Sequence, residues 1–195
     1  MMESPLDDDR DGPNPTGIDR FGRIRWISRY LKIVALIGAV GIGGLSLYFA
    51  AVPSMFDAQI LRDYDHLLIG SSFTPVKRVG LILLLAGPVS LLVYAMWRIS
   101  RLFACYERGR IFAPAAARHI RAAGAALAAN GALSIPINTL AVLLMTYDNA
   151  PGKRMLAVEV SSTNYATLLF GGLLIVIGWV MHEAARVADE NRRFI

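Results

Sequence analysis

The 195-residue chain is 55% hydrophobic and has a mean hydropathy of +0.46, which is too apolar for an ordinary soluble domain. Its net charge of +5 would suit a nucleic-acid-binding protein, but most Lys and Arg residues flank apolar blocks. The charge therefore indicates membrane topology, and direct nucleic-acid binding is not expected. A single cysteine, Cys105, excludes an intrachain disulfide.

Four apolar blocks predict an all-α integral membrane protein whose four transmembrane helices form a bundle. Each block is about 19 to 25 residues long, and a helix of that length rises roughly 28 to 37 Å, enough to cross the hydrocarbon core of a bilayer. All four belong to a single membrane domain, 18–195. The predicted spans are 31–52, 79–97, 122–146 and 164–182.

The segment before the first span is predicted to lie in the cytoplasm. Residues 1–17 are acidic and contain Pro and Gly, which predicts a disordered tail and not a cleavable signal peptide. In residues 18–32, apolar side chains recur at three- and four-residue spacing between arginines. This pattern predicts a basic amphipathic helix at the interface, continuing into span one. Ala35, Ala39 and Gly43 then form a small-residue ladder that allows close helix approach.

Two loops, 53–78 and 147–163, are predicted to be external. The first mixes charged and apolar residues, and either a short helix or a strand folded over the external mouth fits it. In the second loop, Leu156–Val160 alternates in the manner of a short strand. Pairing of the two loops would form a small extracytoplasmic cap.

Polar residues and prolines interrupt spans two and three. Pro88 and Pro136 predict helix kinks. Asn130, Ser134 and Asn138 lie four residues apart and so share one helix face. We favour a role as polar contacts between helices, while a polar cavity is the functional alternative. No Asp, Glu, Lys or Arg lies in the middle of a predicted span, which weakens a transporter interpretation.

The connector 98–121 is strongly basic, and Glu107 is its only acidic residue. Lys and Arg stay on the cytoplasmic side of a membrane. The protein is therefore expected in a bacterial cytoplasmic membrane, with this connector and both termini in the cytoplasm. The same residues would attract anionic lipid headgroups. After span four, pairs such as Glu183 with Arg186 predict that the last helix continues into the cytoplasm.

The connector sequence LFACYERGRIFAPAAARHIRAAG resembles the signature of an uncharacterised bacterial membrane family, domain of unknown function 2975. The family usually has Ser or Thr after its Gly-x-x-Phe segment, where this chain has Ala113 and then Pro114, so we expect a sound helix start with a weak cap. The resemblance implies a small helix-turn-helix regulator as a partner. The matching residues are Leu102, Phe103, Gly109, Phe112, Arg118 and Arg121, then Glu183, Ala184, Val187, Glu190 and Ile195.

The sequence offers no support for an enzyme. It contains no HExxH, GxSxG, P-loop or paired-cysteine motif, so no catalytic residue, cofactor or metal is predicted. Cys105, His119, His182 and Glu183 could meet on the cytoplasmic face, but structural zinc sites normally use more closely spaced ligand pairs.

Two hypotheses for function follow. The first is a non-enzymatic regulatory or interaction protein that presents its cytoplasmic connector and C-terminal helix to a partner. The alternative is a small transporter or channel component that uses the polar face of Asn130, Ser134 and Asn138. Small-residue ladders also permit a homo-oligomer. The predicted partner-binding residues are Phe103, Arg108, Gly109, Arg110, Phe112, Arg118, Arg186, Glu190 and Phe194.

Overall fold

The structure, a computed structural model, describes residues 16–64, 73–109, 113–149 and 160–192. Over these residues it is all-helical, as predicted. Four of the helices are long and apolar enough to cross a membrane, in agreement with the predicted number of spans. The helices are α1 (Thr16–Ala51), α2 (Pro53–Tyr64), α3 (Pro75–Glu107), α4 (Pro114–Thr146) and α5 (Ser162–Arg192).

The four long helices pack side by side in the order α1, α3, α4, α5. Neighbours run antiparallel: along α1 and α3, Gly38 lies against Met96 and Gly43 against Val93. Along α4 and α5, Gly124 lies against Gly171 and Gly131 against Asn164. Among the described residues, α1 does not pack along α5. The predicted bundle therefore takes the form of an open row, with α1 and α5 at its two edges.

Each long helix extends beyond its predicted span. α3 has 33 residues and is roughly 50 Å long, against about 30 Å for a hydrocarbon core. The predicted interfacial helix 18–32 and span one are one continuous helix, α1. Most of connector 98–121 is also helical, since α3 reaches Glu107 and α4 begins at Pro114.

Glycines let α4 and α5 approach until their backbones touch. A Cβ atom added to Gly124 would lie 2.7 Å from the carbonyl oxygen of Gly171, and one on Gly131 would lie 2.8 Å from the carbonyl oxygen of Asn164. Since no side chain fits between these backbones, the helices pack mainly by van der Waals contact. On α1, Ala35 and Ala39 of the predicted ladder are likewise buried.

The short helix α2 decides between the helix and strand alternatives for the first loop, which was predicted to be external. Pro53, which lacks an N–H, suits its first turn. Phe56 and Ile60 form an apolar cluster with Leu81 and Met145, so α2 covers the end of the row. No strand occurs in the described part of the chain, and all of Leu156–Val160 except its last residue lies outside it.

Large apolar side chains stay exposed along the row. Leu47 of α1 is 72% exposed, Leu83 of α3 is 71% exposed and Phe170 of α5 is 64% exposed. A soluble monomer rarely leaves such extended apolar surface in water. Hydrocarbon would solvate these side chains, so the arrangement is compatible with a multi-pass membrane protein.

Candidate functional site

The basic end of the row begins at an aromatic group on α3. Arg98 donates from Nε to the hydroxyl of Tyr94 at 2.8 Å, and its guanidinium carbon lies 5.0 Å from the Tyr94 ring centroid and 5.4 Å from that of Trp97. Tyr and Trp favour the membrane–water interface. We therefore take Tyr94, Trp97 and Arg98, the aromatic collar, as the level of that interface.

Arg98 also joins α3 to α4. Its NH1 group lies 3.3 Å from Nδ1 of His119. A guanidinium can only donate hydrogen bonds, so Nδ1 is the acceptor in this contact. His119 is half-buried, and the contact holds α4 to α3 near the level of the collar.

Beyond the collar the helices remain packed around apolar side chains. Leu102 of α3 and Ala116 and Ile120 of α4 form a buried cluster, with Met181 of α5 packed against it. Gly178 of α5 lies against Arg121 of α4, which places the C-terminal part of α5 at this same end. The basic end is therefore a packed extension of three helices.

A tight turn leads from α3 towards α4. Gly109 has a φ of 73°, a left-handed conformation that glycine adopts without steric cost, and its N–H donates to the carbonyl of Tyr106 at 2.9 Å. This is a common way to end a helix. α4 then starts with Pro114 after Ala113, which makes no side-chain cap hydrogen bond, as the sequence predicted.

Glu107, the last residue of α3, connects this turn to α1. Its Oε1 accepts a hydrogen bond from Nε of Arg29 at 2.8 Å, and its Oε2 accepts one from Nζ of Lys32 at 2.6 Å. Both carboxylate oxygens are therefore used by α1. The one acidic residue of the connector does not compensate the arginines of α3 and α4.

Several of those arginines lack an acidic partner. In the part of the chain that the structure describes, no carboxylate pairs with Arg101, Arg108, Arg118 or Arg121. Three of the four are exposed, and Arg121 is half-buried. The basic end thus presents unpaired positive charge on a packed helical support.

The structure collects the described members of the predicted partner surface at this end. Phe103 is half-buried, with its ring edge-to-face on Tyr106 at 6.2 Å between centroids. Arg108, Gly109 and Arg118 are exposed. The remaining predicted residues Arg110, Phe112 and Phe194 lie outside the described residues.

On α5, the predicted residues Arg186 and Glu190 are partners of each other. Arg186 pairs with Glu183 at 2.6 Å, as predicted, and more loosely with Glu190 at 3.7 Å. All three side chains are exposed. Arg186 is therefore partly neutralised by its own helix, unlike the arginines of α3 and α4.

Asn130, on the predicted polar face of α4, contacts α3. Asn130 donates from Nδ2 to the carbonyl oxygen of Pro88 at 3.3 Å. Ser134 donates to the backbone carbonyl of Asn130 at 2.7 Å and lies 3.2 Å from its side-chain oxygen. Asn138, two turns from Asn130, is half-buried. The Asn130 contact is of the kind expected for polar attachment between helices.

A cavity that the sequence analysis missed lies at the opposite end of the row, between α1 and α3 and beside α2. Its volume is about 600 Å³. Small residues of the two helices, spaced three or four positions apart, leave the space open. The small residues are present in the sequence of each helix. Their meaning becomes clear only once α1 and α3 are known to be neighbours. These residues are Gly43, Ser46 and Ala50 of α1 and Ala86 and Ser90 of α3.

Metal-binding residues do not converge in the described part of the chain. No group of three His, Cys, Asp or Glu side chains there is placed to hold a metal ion. Cys105 is a free, half-buried thiol. It is the single cysteine of the chain, so no second thiol can join it in a metal site.

Four apolar helices, exposed apolar surface and one basic end define the class: a small, all-helical protein compatible with multiple membrane spans. A family model matches residues 58–195, so the chain belongs to the family described as Protein of unknown function (DUF2975), which confirms the resemblance of the connector. No curated protein matches the chain, and neither does any solved structure.

Proposed function

We propose that the protein is a non-enzymatic, regulatory membrane protein whose basic end binds an acidic surface of a soluble protein. The observation that supports this proposal is that unpaired arginines lie on a packed part of the protein. Leu102, Ala116 and Ile120 hold the helices together at the end where Arg108 and Arg118 are exposed. In this proposal the basic end faces the cytoplasm of a bacterium, as the positive-inside rule requires.

The length of the extension favours a protein partner over headgroups alone. From Arg98 to Glu107, α3 continues for roughly 14 Å. The headgroup layer adds only about 5 to 7 Å on each side of the hydrocarbon core. A helix perpendicular to the membrane would therefore carry Arg108 beyond the headgroups, where a soluble protein can reach it.

The partner class in this proposal is a small helix-turn-helix regulator, as the family resemblance suggests. Such a protein would need an acidic patch that complements Arg101, Arg108 and Arg118. Charge complementarity across the interface would accelerate encounter and make binding sensitive to salt. DNA itself is not the proposed ligand.

Photo-crosslinking in native membranes tests the proposal. A photoreactive residue at Phe103, which lies roughly 7 Å beyond Arg98 along α3, should capture a reproducible soluble protein, identified by mass spectrometry. The same residue at Leu83, which is 71% exposed on the apolar part of α3, should capture lipid only. Lipid adducts alone from both positions would contradict the proposal.

Charge reversal provides the second arm. Arg108→Glu combined with Arg118→Glu should abolish capture from Phe103, while Arg62→Glu at the opposite end should leave it unchanged. Membrane insertion is checked by the yield of helical, monodisperse protein. Undiminished capture by the double variant would show that the arginines do not recognise the partner.

Orientation is tested separately in intact cells. In a Cys105→Ala background, a cysteine replacing Met55, which is 49% exposed on α2, should react with a membrane-impermeant maleimide. A cysteine replacing Arg108 should react only after lysis. The reverse pattern would place the basic end outside.

The transporter alternative has weaker support because the Asn130 amide is occupied by the carbonyl of Pro88. It predicts that Asn138→Leu changes a flux or a resistance phenotype without loss of folded protein. A changed phenotype with normal protein yield would favour this alternative over the regulator.

A further inference from the structure

The cavity beside α2 has the shape of a membrane-facing groove. Its wall on α1 runs from Gly43 to Ala50, and its wall on α3 runs from Ile82 to Val93, which correspond to roughly 10 and 16 Å along the helix axes. One leaflet contributes about 15 Å of hydrocarbon. Val93 is next to Tyr94 of the aromatic collar, so the groove extends from the level of α2, past mid-bilayer, to about the level of the collar.

The groove is open to the surrounding hydrocarbon. Leu47 lines it and is 72% exposed, and Ala86 and Ser90 on the facing helix are also exposed. On α3, the hydroxyl of Ser90 donates to the carbonyl of Gly87 in its own helix at 2.7 Å. An apolar chain could therefore enter sideways from the bilayer without leaving that donor unpaired.

An amide and a cation lie at the α2 end. Gln59 lines the groove and also a second hollow, of about 610 Å³, that includes Arg62. Arg62 is exposed in the last turn of α2, and no carboxylate pairs with it among the described residues. An apolar groove with a cation at its surface end complements a molecule with an acyl chain and an anionic head.

We propose that this groove binds one anionic glycerophospholipid of the leaflet nearer α2, with an acyl chain between α1 and α3 and its phosphate at Arg62. A volume near 600 Å³ lies in the usual range for small-ligand pockets that are apolar with a few placed polar groups. The bilayer surrounds the groove with this ligand. The site is independent of the partner surface at the basic end.

Native mass spectrometry of the full chain tests the proposal. Protein taken from vesicles of equimolar phosphatidylglycerol and phosphatidylethanolamine should retain one phospholipid, with phosphatidylglycerol preferred. Ala86→Phe fills the groove and should lower retention roughly tenfold. Leu83→Phe adds the same ring one turn away on a side chain that does not line the groove, and should retain lipid as the unaltered chain does.

The head-group contact has its own matched pair. Arg62→Gln should reduce the preference for phosphatidylglycerol roughly fivefold, the value of one cationic contact near a membrane surface. Arg101→Gln, at the basic end, should not change it. If the Arg62→Gln and Arg101→Gln variants prefer phosphatidylglycerol equally, the phosphate does not bind at Arg62 and the proposal is overturned.

Three further outcomes would overturn it. These are no lipid retained by the unaltered chain, equal retention by the Ala86→Phe and Leu83→Phe variants, and a dimer that dissociates on Ala86→Phe. The last result would show that a second copy fills the groove. If Ala86→Phe does not give helical, monodisperse protein, Ser90→Leu is the second groove-filling variant and carries the same expectation.

Discussion

The contact between α4 and α5 can be tested at a pair of adjacent glycines. A Cβ atom added to Gly171 would lie 2.3 Å from the backbone nitrogen of Ala128 and 2.7 Å from the carbonyl oxygen of Gly124. The next residue, Gly172, has no atom within 4 Å of the same position. Gly171→Ala and Gly172→Ala thus make one chemical change in two different surroundings.

The magnitude follows from the geometry. Relief of the Gly171 clash requires roughly 1 Å more separation, because 2.3 Å is that far below the 3.4 Å at which ordinary contacts begin. A gap of that size forfeits about a quarter to a half of the dispersion energy of the atoms involved. Overpacking against rigid groups costs about 1 to 3 kcal/mol, and we expect the upper part of that range because both obstructing atoms belong to backbone.

Reversible unfolding in mixed detergent micelles, followed by circular dichroism, measures this difference. Gly172→Ala should unfold at or slightly above the midpoint of the unaltered chain, since alanine favours helix over glycine by about 1 kcal/mol. Gly171→Ala should be about 2 to 3 kcal/mol less stable than Gly172→Ala. Equal stability of the two variants would refute the proposed backbone contact between α4 and α5.

Three other substitutions test separate contacts. Glu107→Gln should free the basic part of α1, so that hydrogen exchange near Arg29 accelerates. High salt should reproduce this effect in the unaltered chain because ion pairs at the surface are screened, and exchange indifferent to both changes would contradict the Glu107 contact. Asn130→Leu removes the hydrogen bond to Pro88 and should destabilise the protein by about 0.6 kcal/mol and by no more than about 2 kcal/mol; a larger loss of stability in micelles would mean that Asn130 has a further role. Asp57→Asn breaks the ion pair with Arg78 and should accelerate exchange in α2 while leaving α4 and α5 unchanged; slow exchange in α2 would show that Phe56 and Ile60 hold it without the ion pair.

The open row has a consequence for how the protein meets its surroundings. In a closed four-helix bundle each helix has two neighbours, whereas over the described residues α1 packs along α3 alone and α5 along α4 alone among the long helices. Their outer faces are apolar over many turns, with Ile37 at 65% and Val180 at 65% exposed. Lipid or a second copy of the chain can therefore contact either edge, and the groove proposed to bind lipid lies beside one of them.

The secondary structure could be predicted because it depends on composition and length. Apolar runs of span length are helical in hydrocarbon since every backbone group must find a partner within the chain. The start of α4 at Pro114 and the ion pair of Arg186 with Glu183 depend on near neighbours in sequence. Because both features are local, they could be predicted from the sequence.

Pairings between distant residues required the tertiary structure. Glu107 lies 78 residues from Arg29, and Asn130 lies 42 residues from Pro88. Composition and spacing do not reveal which helix lies beside which, because in a bilayer lipid can solvate any face of a long apolar helix. The predicted partner residues could be named from their charge and from the family resemblance. That Glu107 is occupied by α1 depends on which helix lies beside α3.

The sequence by itself determined four apolar helices, a basic end and membership of a family, because these depend on residue type and order along the chain. Only the tertiary structure decided that the helices form an open row, that α2 is a helix and that a groove separates α1 from α3. The physical reason is packing: small residues such as Gly43 and Ala86 leave either a tight contact or an empty space, and the neighbour across from them determines which.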